Sequence, residues 1–209
     1  MRATHIIAIA GPSCAGKTEL AKSLARHLTA PILPMDAYYL DLACLPLEAR
    51  CKFNFDVPES VDHGLLLENL AALVAGHTIK RPVYDFTIHT RAPITETVAP
   101  GGCVIVEGLF ALYWDDIRSL VGTKVFVDAP DEVCLARRQV RDVLERGRTV
   151  ESVLKQYTET VRPMAELYVR PTRCFADIVV SGEVPVEQSS AAVLARVNSQ
   201  PFASGAAPA

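Results

Sequence analysis

Gly11-Pro12-Ser13-Cys14-Ala15-Gly16-Lys17-Thr18 is the stretch whose reading decides the fold. It fits the pattern G-x-x-x-x-G-K-[ST]. Just before it, His5 to Ala10 is a short apolar run that reads as a buried strand. Just after it, Thr18 to Leu28 has helical spacing, with Leu20, Leu24 and Leu28 on one stripe. A strand, a glycine-rich turn and a helix are the setting in which this pattern cradles phosphate. Glycines let successive backbone N–H groups turn toward phosphate oxygens. The helix N-terminus adds partial positive charge. Lys17 can reach the β- and γ-phosphates of a nucleoside triphosphate, and the Thr18 hydroxyl can hold Mg²⁺.

Outward from this loop the chain alternates strands and helices. Pro31 to Met35 reads as a second strand ending at Asp36, followed by an irregular stretch from Ala37 to Glu59. Asp62 to Val74 is an amphipathic helix stopped near Gly76. Thr78 to Val98 alternates and carries Pro82, Arg91 and Pro93, which predicts a β-ribbon excursion. Cys103 to Val106 and Lys124 to Val127 are apolar runs of the kind found in parallel sheets. Helices are expected over Asp131 to Glu145 and Val150 to Tyr168. A last strand is expected over Phe175 to Val180, and a last helix over Val186 to Val197, entered through Pro185. This order predicts an α/β fold, a three-layer P-loop NTPase sandwich with a parallel sheet covered on both faces. One domain over residues 1–198 is expected, with a ribbon insert at 78–98, a lid at 137–148 and a frayed tail at 199–209.

The chain has 209 residues, of which half are hydrophobic, and a formal net charge of −3. That balance gives no electrostatic case for nucleic acid or an anionic membrane, so polyphosphate binding must come from local basic clusters. Six cysteines are scattered without Cys-x-x-Cys or metal-ligand spacing, which reads as reduced thiols and a cytoplasmic location. No stretch approaches the roughly 20 apolar residues that span a bilayer.

A phosphate loop does not by itself separate kinases from GTPases and motors. Asn-Lys-x-Asp, Asp-x-x-Gly and G-x-G-x-x-G are all missing, which disfavours a GTPase switch and a dinucleotide site. Asp36 and Glu107 each follow an apolar strand, so both are expected at the carboxyl edge of the sheet, where open α/β folds bind ligands. One carboxylate there could take a proton from an acceptor hydroxyl, and the other could hold Mg²⁺. The alternative is a pair of solvated strand-end carboxylates. Arg137, Arg138, Arg141, Arg146 and Arg148 follow on a helix, with Arg137 and Arg141 four apart and Arg138 and Arg141 three apart. Their forks suit phosphate oxygens. The equal alternative is a solvated helix with Asp142 and Glu145 as intrahelical partners.

Beyond the loop, further segments stand out: MDAYY at 35–39, FNFDVPESVDHGLLLENL at 53–70, RPVYDFTIHTR at 81–91, VIVEGLFALY at 104–113, KVFVDAP at 124–130, and ARRQVRDVLERGR at 136–148 followed by Gln156-Tyr157. In order and spacing the chain resembles the uridine–cytidine kinases of the phosphoribulokinase and uridine kinase group, over roughly residues 4 to 180. The resemblance implies transfer of the γ-phosphate of ATP or GTP to the 5′-hydroxyl of uridine or cytidine, with Mg²⁺, in pyrimidine salvage. It implies Asp36 as catalytic base, with Lys17 acting on the phosphates. It implies Asp56 on the ribose hydroxyls, Tyr84 and His89 against the pyrimidine, and Phe55 and Phe86 flanking the ring. Arg138, Arg148 and Gln156 match further nucleoside contacts, Arg141 and Arg146 lid arginines at the phosphates, and Glu107 with Thr18 the metal side. Small-molecule partners and a homotetramer follow from the same resemblance. The chain departs from the family pattern at Ala37, at Val57 and, inside the loop, at Pro12, Cys14 and Ala15. These leave open an altered acceptor such as ribulose phosphate or pantothenate. A non-catalytic nucleotide-binding module is the reading from another class.

Overall fold

A computed structural model describes residues 4–199. Five parallel strands form the main sheet: β1 (His5–Ala10), β2 (Ile32–Pro34), β5 (Cys103–Glu107), β6 (Thr123–Asp128) and β7 (Ile178–Ser181). Their spatial order is β2-β5-β1-β6-β7. Alternate residues of β1 face opposite sides, as the two-residue period of a strand requires. Ile6, Ala8 and Ala10 join one core with Leu66, Leu70 and Phe110, while Ile7 and Ile9 join the other with Leu20, Leu24 and Val193. Both faces are covered, which is why these strands read as unbroken apolar runs.

On one face lie α1 (Lys17–Leu28) and α8 (Val186–Ser199). On the other lie α3 (His63–Val74) and α4 (Asp115–Leu120). Leu66, Leu70 and Leu73 are the buried stripe of α3, and Asp62 caps its N-terminus by accepting from the Leu65 N–H at 3.1 Å. The ribbon at 78–98 is an antiparallel pair, β3 (Ile79–Asp85) and β4 (Thr90–Val98), with a register shift between Pro82 and Tyr84. It stands apart from the main sheet.

Register explains where the functional edge falls. Ile9 pairs with Glu107, and Glu107 also pairs with Pro34. The ends of β1, β5 and β2 are therefore level. The phosphate loop, Glu107 and the turn after β2 emerge side by side.

Some expected boundaries shift. β2 stops at Pro34, and Asp36 sits in a 3₁₀ turn, Met35–Tyr38. The helix expected at 150–168 starts as α6 (Val150–Gln156), widens to a π-turn (Tyr157–Val161), and passes through α7 (Arg162–Met164) to a second π-turn (Ala165–Val169). Pro163 lies between the two π-turns, where it lacks an N–H for the regular ladder. The short helices α2 (Leu47–Cys51) and α4 escape a periodicity reading because neither completes two turns. The helix of the arginine segment, α5 (Asp131–Arg146), ends at Gly147 in the left-handed conformation. Ser199 closes α8, and the rest of the expected tail lies outside the described residues.

Candidate active site

The loop after β1 is shaped by its backbone. Gly11 has φ 148°, and a Cβ there would lie 2.3 Å from the Val127 carbonyl oxygen, so no other residue fits. Gly16 opens α1 with no side-chain cap, which leaves the first N–H groups of the helix unclaimed by a capping side chain. Lys17 is buried and donates from Nζ to the carbonyl oxygens of Gly11 and Pro12, each at 2.8 Å. Burial lowers its pKa, opposed by the carboxylates of Glu107 and Asp36. The ammonium is held over the loop, where a β- or γ-phosphate would meet it.

The Thr18 hydroxyl donates to Glu107 Oε1 at 3.3 Å. Burial raises the Glu107 pKa, with Lys17 opposing and Asp36 adding to the rise. Among the described residues no three His, Cys, Asp or Glu side chains cluster as a metal cage. A hydroxyl and a carboxylate beside a phosphate loop instead match Mg²⁺, which takes one or two protein oxygens and fills its shell with phosphate and water. The donor set fits that ion.

A cavity of about 950 Å³ opens above these groups. It is lined by Ser13, Cys14, Gly16, Lys17, Thr18, Asp36, Asp56, Tyr84, Phe86, His89, Glu107, Arg138, Arg141, Arg146, Arg148 and Gln156. The expected residues outside the lining are Gly11, Pro12 and Ala15, which form the back of the loop. So segments far apart in sequence share one space.

At the end away from the loop the wall is aromatic. Phe55 packs 4.9 Å from Tyr39 and stacks on His89 at 5.7 Å with 22° between planes. Tyr84 lies 5.2 Å from Phe86 and 5.4 Å from Tyr39. The Tyr84 hydroxyl is buried without a hydrogen-bond partner among the described residues, and burial first, then the Asp41 charge, pushes its pKa up to about 12. His89 has φ 50°, and burial followed by the charges of Arg148 and Arg146 lowers its pKa, which favours the neutral ring. Burial raises the Asp56 pKa against the pull of Arg138.

Arg137, Arg138, Arg141, Arg146 and Arg148 all line the cavity. Arg138 is buried and donates to Ser13 Oγ at 2.9 Å and to Gln156 Oε1 at 3.1 Å. Arg148 donates to the same Gln156 oxygen. Arg146 stands over the Phe86 ring at 5.9 Å, so α5 meets the ribbon across the cavity mouth. Asp142 is the intrahelical partner expected for a plain helix, yet it is fully buried.

Three groups here lie outside the roles that the resemblance implied. Tyr39 lines the cavity, and its pKa is raised by burial and by Asp36 and Asp56. It was visible as the second Tyr of MDAYY, without a signal for its direction. Arg137 donates to the carbonyls of Cys14 and Ala15 at 3.4 Å and of Gly182 at 2.8 Å, joining α5 to the loop and to the end of β7. Gly182 had no local signal at all, because its need for glycine arises from contact with Ala15.

Residues 6–189 match the family model described as the phosphoribulokinase/uridine kinase family. The chain belongs to that family. This kinase is 42% identical over 180 residues to a protein named uridine kinase from Chloroflexus aurantiacus, covering 85% of this chain and 86% of that one. It is also 42% identical over 182 residues to a uridine kinase of Vibrio cholerae serotype O1, covering 84% and 85%. Among solved structures, phosphoribulokinase from Rhodobacter spheroides superposes with a TM-score of 0.64 at 16% identity, covering 87% of this kinase and 71% of that chain. A structure described as a possible uridine kinase from Bacillus stearothermophilus gives 0.60 at 19%, covering 86% and 89%. At those identities the structures speak for the fold alone, a P-loop kinase sandwich. Among the described residues no helix is long and apolar enough to cross a membrane.

Proposed function

We propose that this kinase transfers the γ-phosphoryl group of ATP or GTP to the 5′-hydroxyl of uridine or cytidine, giving UMP or CMP in pyrimidine salvage. The observation that carries the reading is the two-ended cavity. One end holds the phosphate loop with Lys17, Thr18 and Glu107. The other holds Asp56 among Tyr39, Phe55, Tyr84 and His89. Asp36 lines the same space. The names of the relatives agree with it.

The nucleoside triphosphate lies on the loop N–H groups with Lys17, Arg141 and Arg146 on its phosphates. Thr18 and Glu107 would hold Mg²⁺, which would supply charge neutralisation at the phosphate oxygens. Asp56 accepts from the ribose hydroxyls. Phe55 and Phe86 flank the pyrimidine, and Tyr84 and His89 hydrogen-bond its edge. Arg138, Arg148 and Gln156 complete the acceptor side. Asp36 accepts the 5′-hydroxyl proton while that oxygen bonds to the γ-phosphorus. The bond to the β–γ bridging oxygen breaks, and the nucleoside diphosphate departs. Such transfer is mostly positioning and charge stabilisation. The work is assigned to one domain over residues 1–198 with the 78–98 insert and the 137–148 lid, in a cytoplasmic homotetramer.

The test is phosphate transfer from labelled ATP to uridine, cytidine, their deoxy forms, adenosine, pantothenate and ribulose 5-phosphate. Transfer to uridine or cytidine is the expected result. Transfer only to a non-nucleoside would reassign the aromatic end of the cavity. ATP binding without transfer to any acceptor would favour a regulatory module.

A further inference from the structure

Asp142 belongs to α5 and is fully shielded from solvent. Four guanidinium groups converge on its carboxylate. Arg141 is nearest at 2.8 Å, Arg138 and Arg148 stand at 3.5 Å, and Arg146 at 3.7 Å. Its backbone oxygen also accepts from the N–H groups of Gly147 and Arg148, which fixes the turn that carries Arg148. One carboxylate among four guanidinium groups leaves a surplus of three positive charges beside the loop. Like charges this close repel each other, and burial followed by the Arg141 charge lowers the pKa of Arg146 while Asp142 opposes the drop.

Three of the four contacts are longer than a hydrogen bond. Among the described residues Asp142 Oδ2 and Arg138 Nε have no hydrogen-bond partner. The carboxylate therefore restrains the arginines while leaving most of their N–H donors for an anion. The group also spans both ends of the cavity. Arg138 reaches Ser13 of the phosphate loop, and both Arg138 and Arg148 reach Gln156.

We infer that Asp142 is a positioning residue that gathers the four arginines into one unit linking the phosphate-donor end of the cavity to the acceptor end. The inference rests on the phosphotransfer reading. Removing the carboxylate lets the guanidinium groups spread, so both substrates are affected together.

The experiment uses the full chain and initial rates with ATP and uridine varied separately. Asp142→Asn keeps the shape and removes the charge. Its kcat is expected to fall at least about tenfold, which is about 1.4 kcal/mol of barrier. Both KM values are expected to rise. Asp142→Ala leaves a space, and added formate is expected to restore part of its kcat while doing nothing for the wild type. Exposed Glu132→Gln on the same helix, outside the lid, is the charge control and is expected to match the wild type. The inference is overturned by wild-type kinetics in Asp142→Asn, by a change in only one KM, or by a loss that tracks the folded fraction and ignores formate. Failure of both Asp142 variants to fold would assign the residue to the fold and overturn it as well. A wild-type chain inactive on uridine and cytidine would sink the phosphotransfer reading instead. The Asp142 variants would then be scored on ATP affinity, where an unchanged value overturns the inference.

Discussion

Arg91→Ala is expected to loosen the turn that carries Asp36. Arg91, on β4, donates from Nε to the Tyr39 carbonyl at 2.9 Å. Its Nη2 reaches the Tyr38 carbonyl at 3.3 Å and Asp62 Oδ2 at 3.0 Å. Tyr38 closes the 3₁₀ turn Met35–Tyr38, and Asp62 caps α3. One side chain thus pins the ribbon, the turn and a helix end together. A hydrogen bond with a charged donor contributes about 1.5–3 kcal/mol. The ion pair is partly exposed, with side-chain exposures of 19% for Arg91 and 33% for Asp62, so water and screening take part of that away. Two carbonyl contacts at the lower end give a loss of about 3 kcal/mol for Arg91→Ala. Arg91→Lys keeps a charge but not the planar fork, and about half that loss is expected. Urea unfolding followed by circular dichroism reads the shift in midpoint at constant slope. Because the turn positions Asp36, kcat should fall more than the ATP KM rises. A loss below about 0.5 kcal/mol, the range of ordinary surface substitutions, with unchanged kcat would refute the argument.

Other perturbations follow from the same geometry. Gly182→Ala places a Cβ 1.9 Å from the Ala15 carbonyl oxygen, so the phosphate loop must move; a tenfold or greater loss of ATP affinity is expected by calorimetric titration. Asp36→Asn is expected to cut kcat by about 10²–10⁴-fold, the usual share of a general base, with ATP affinity intact in steady-state and binding assays. Asp56→Asn should raise stability near neutral pH, because burial lifts the folded pKa of Asp56 above its free value, so keeping it ionised destabilises the fold. That gain builds as pH rises from the free carboxylate value through the folded one, is full above it and fades in acid. Urea midpoints at pH 7 and pH 4 would check it, while the uridine KM rises.

The phosphate half of the site was legible because its chemistry is local. Eight consecutive residues between an apolar strand and a helix state it, and Asp36 and Glu107 are marked by the apolar runs they end. The half in which the proposed function seats the nucleoside was legible only through resemblance. Asp56, His89 and Gln156 carry no periodic signal and meet only through tertiary packing. The arginine segment shows the limit most clearly. Helical spacing pairs Asp142 with Arg138 and Arg146. It says nothing of Arg148, which returns past Gly147, nor of the burial that turns an ordinary helix pair into a shared hub. The widening of the 150–168 helix into π-turns is marked in sequence by Pro163, whose missing N–H interrupts the regular ladder.

The cavity draws its walls from the β1 loop, the β2 turn, the ribbon, β5, α5, α6 and the β7–α8 connection. These walls meet only in the folded chain, so a ligand that touches several of them at once grips the finished fold. A ligand that binds the folded chain alone stabilises it by RT ln(1 + [L]/Kd), about 2.7 kcal/mol at a hundredfold excess over Kd. Stabilities of whole domains run to only about 5–15 kcal/mol. Ligand that fills this cavity will therefore raise the unfolding midpoint of the protein in step with its concentration, so thermal unfolding doubles as a binding assay.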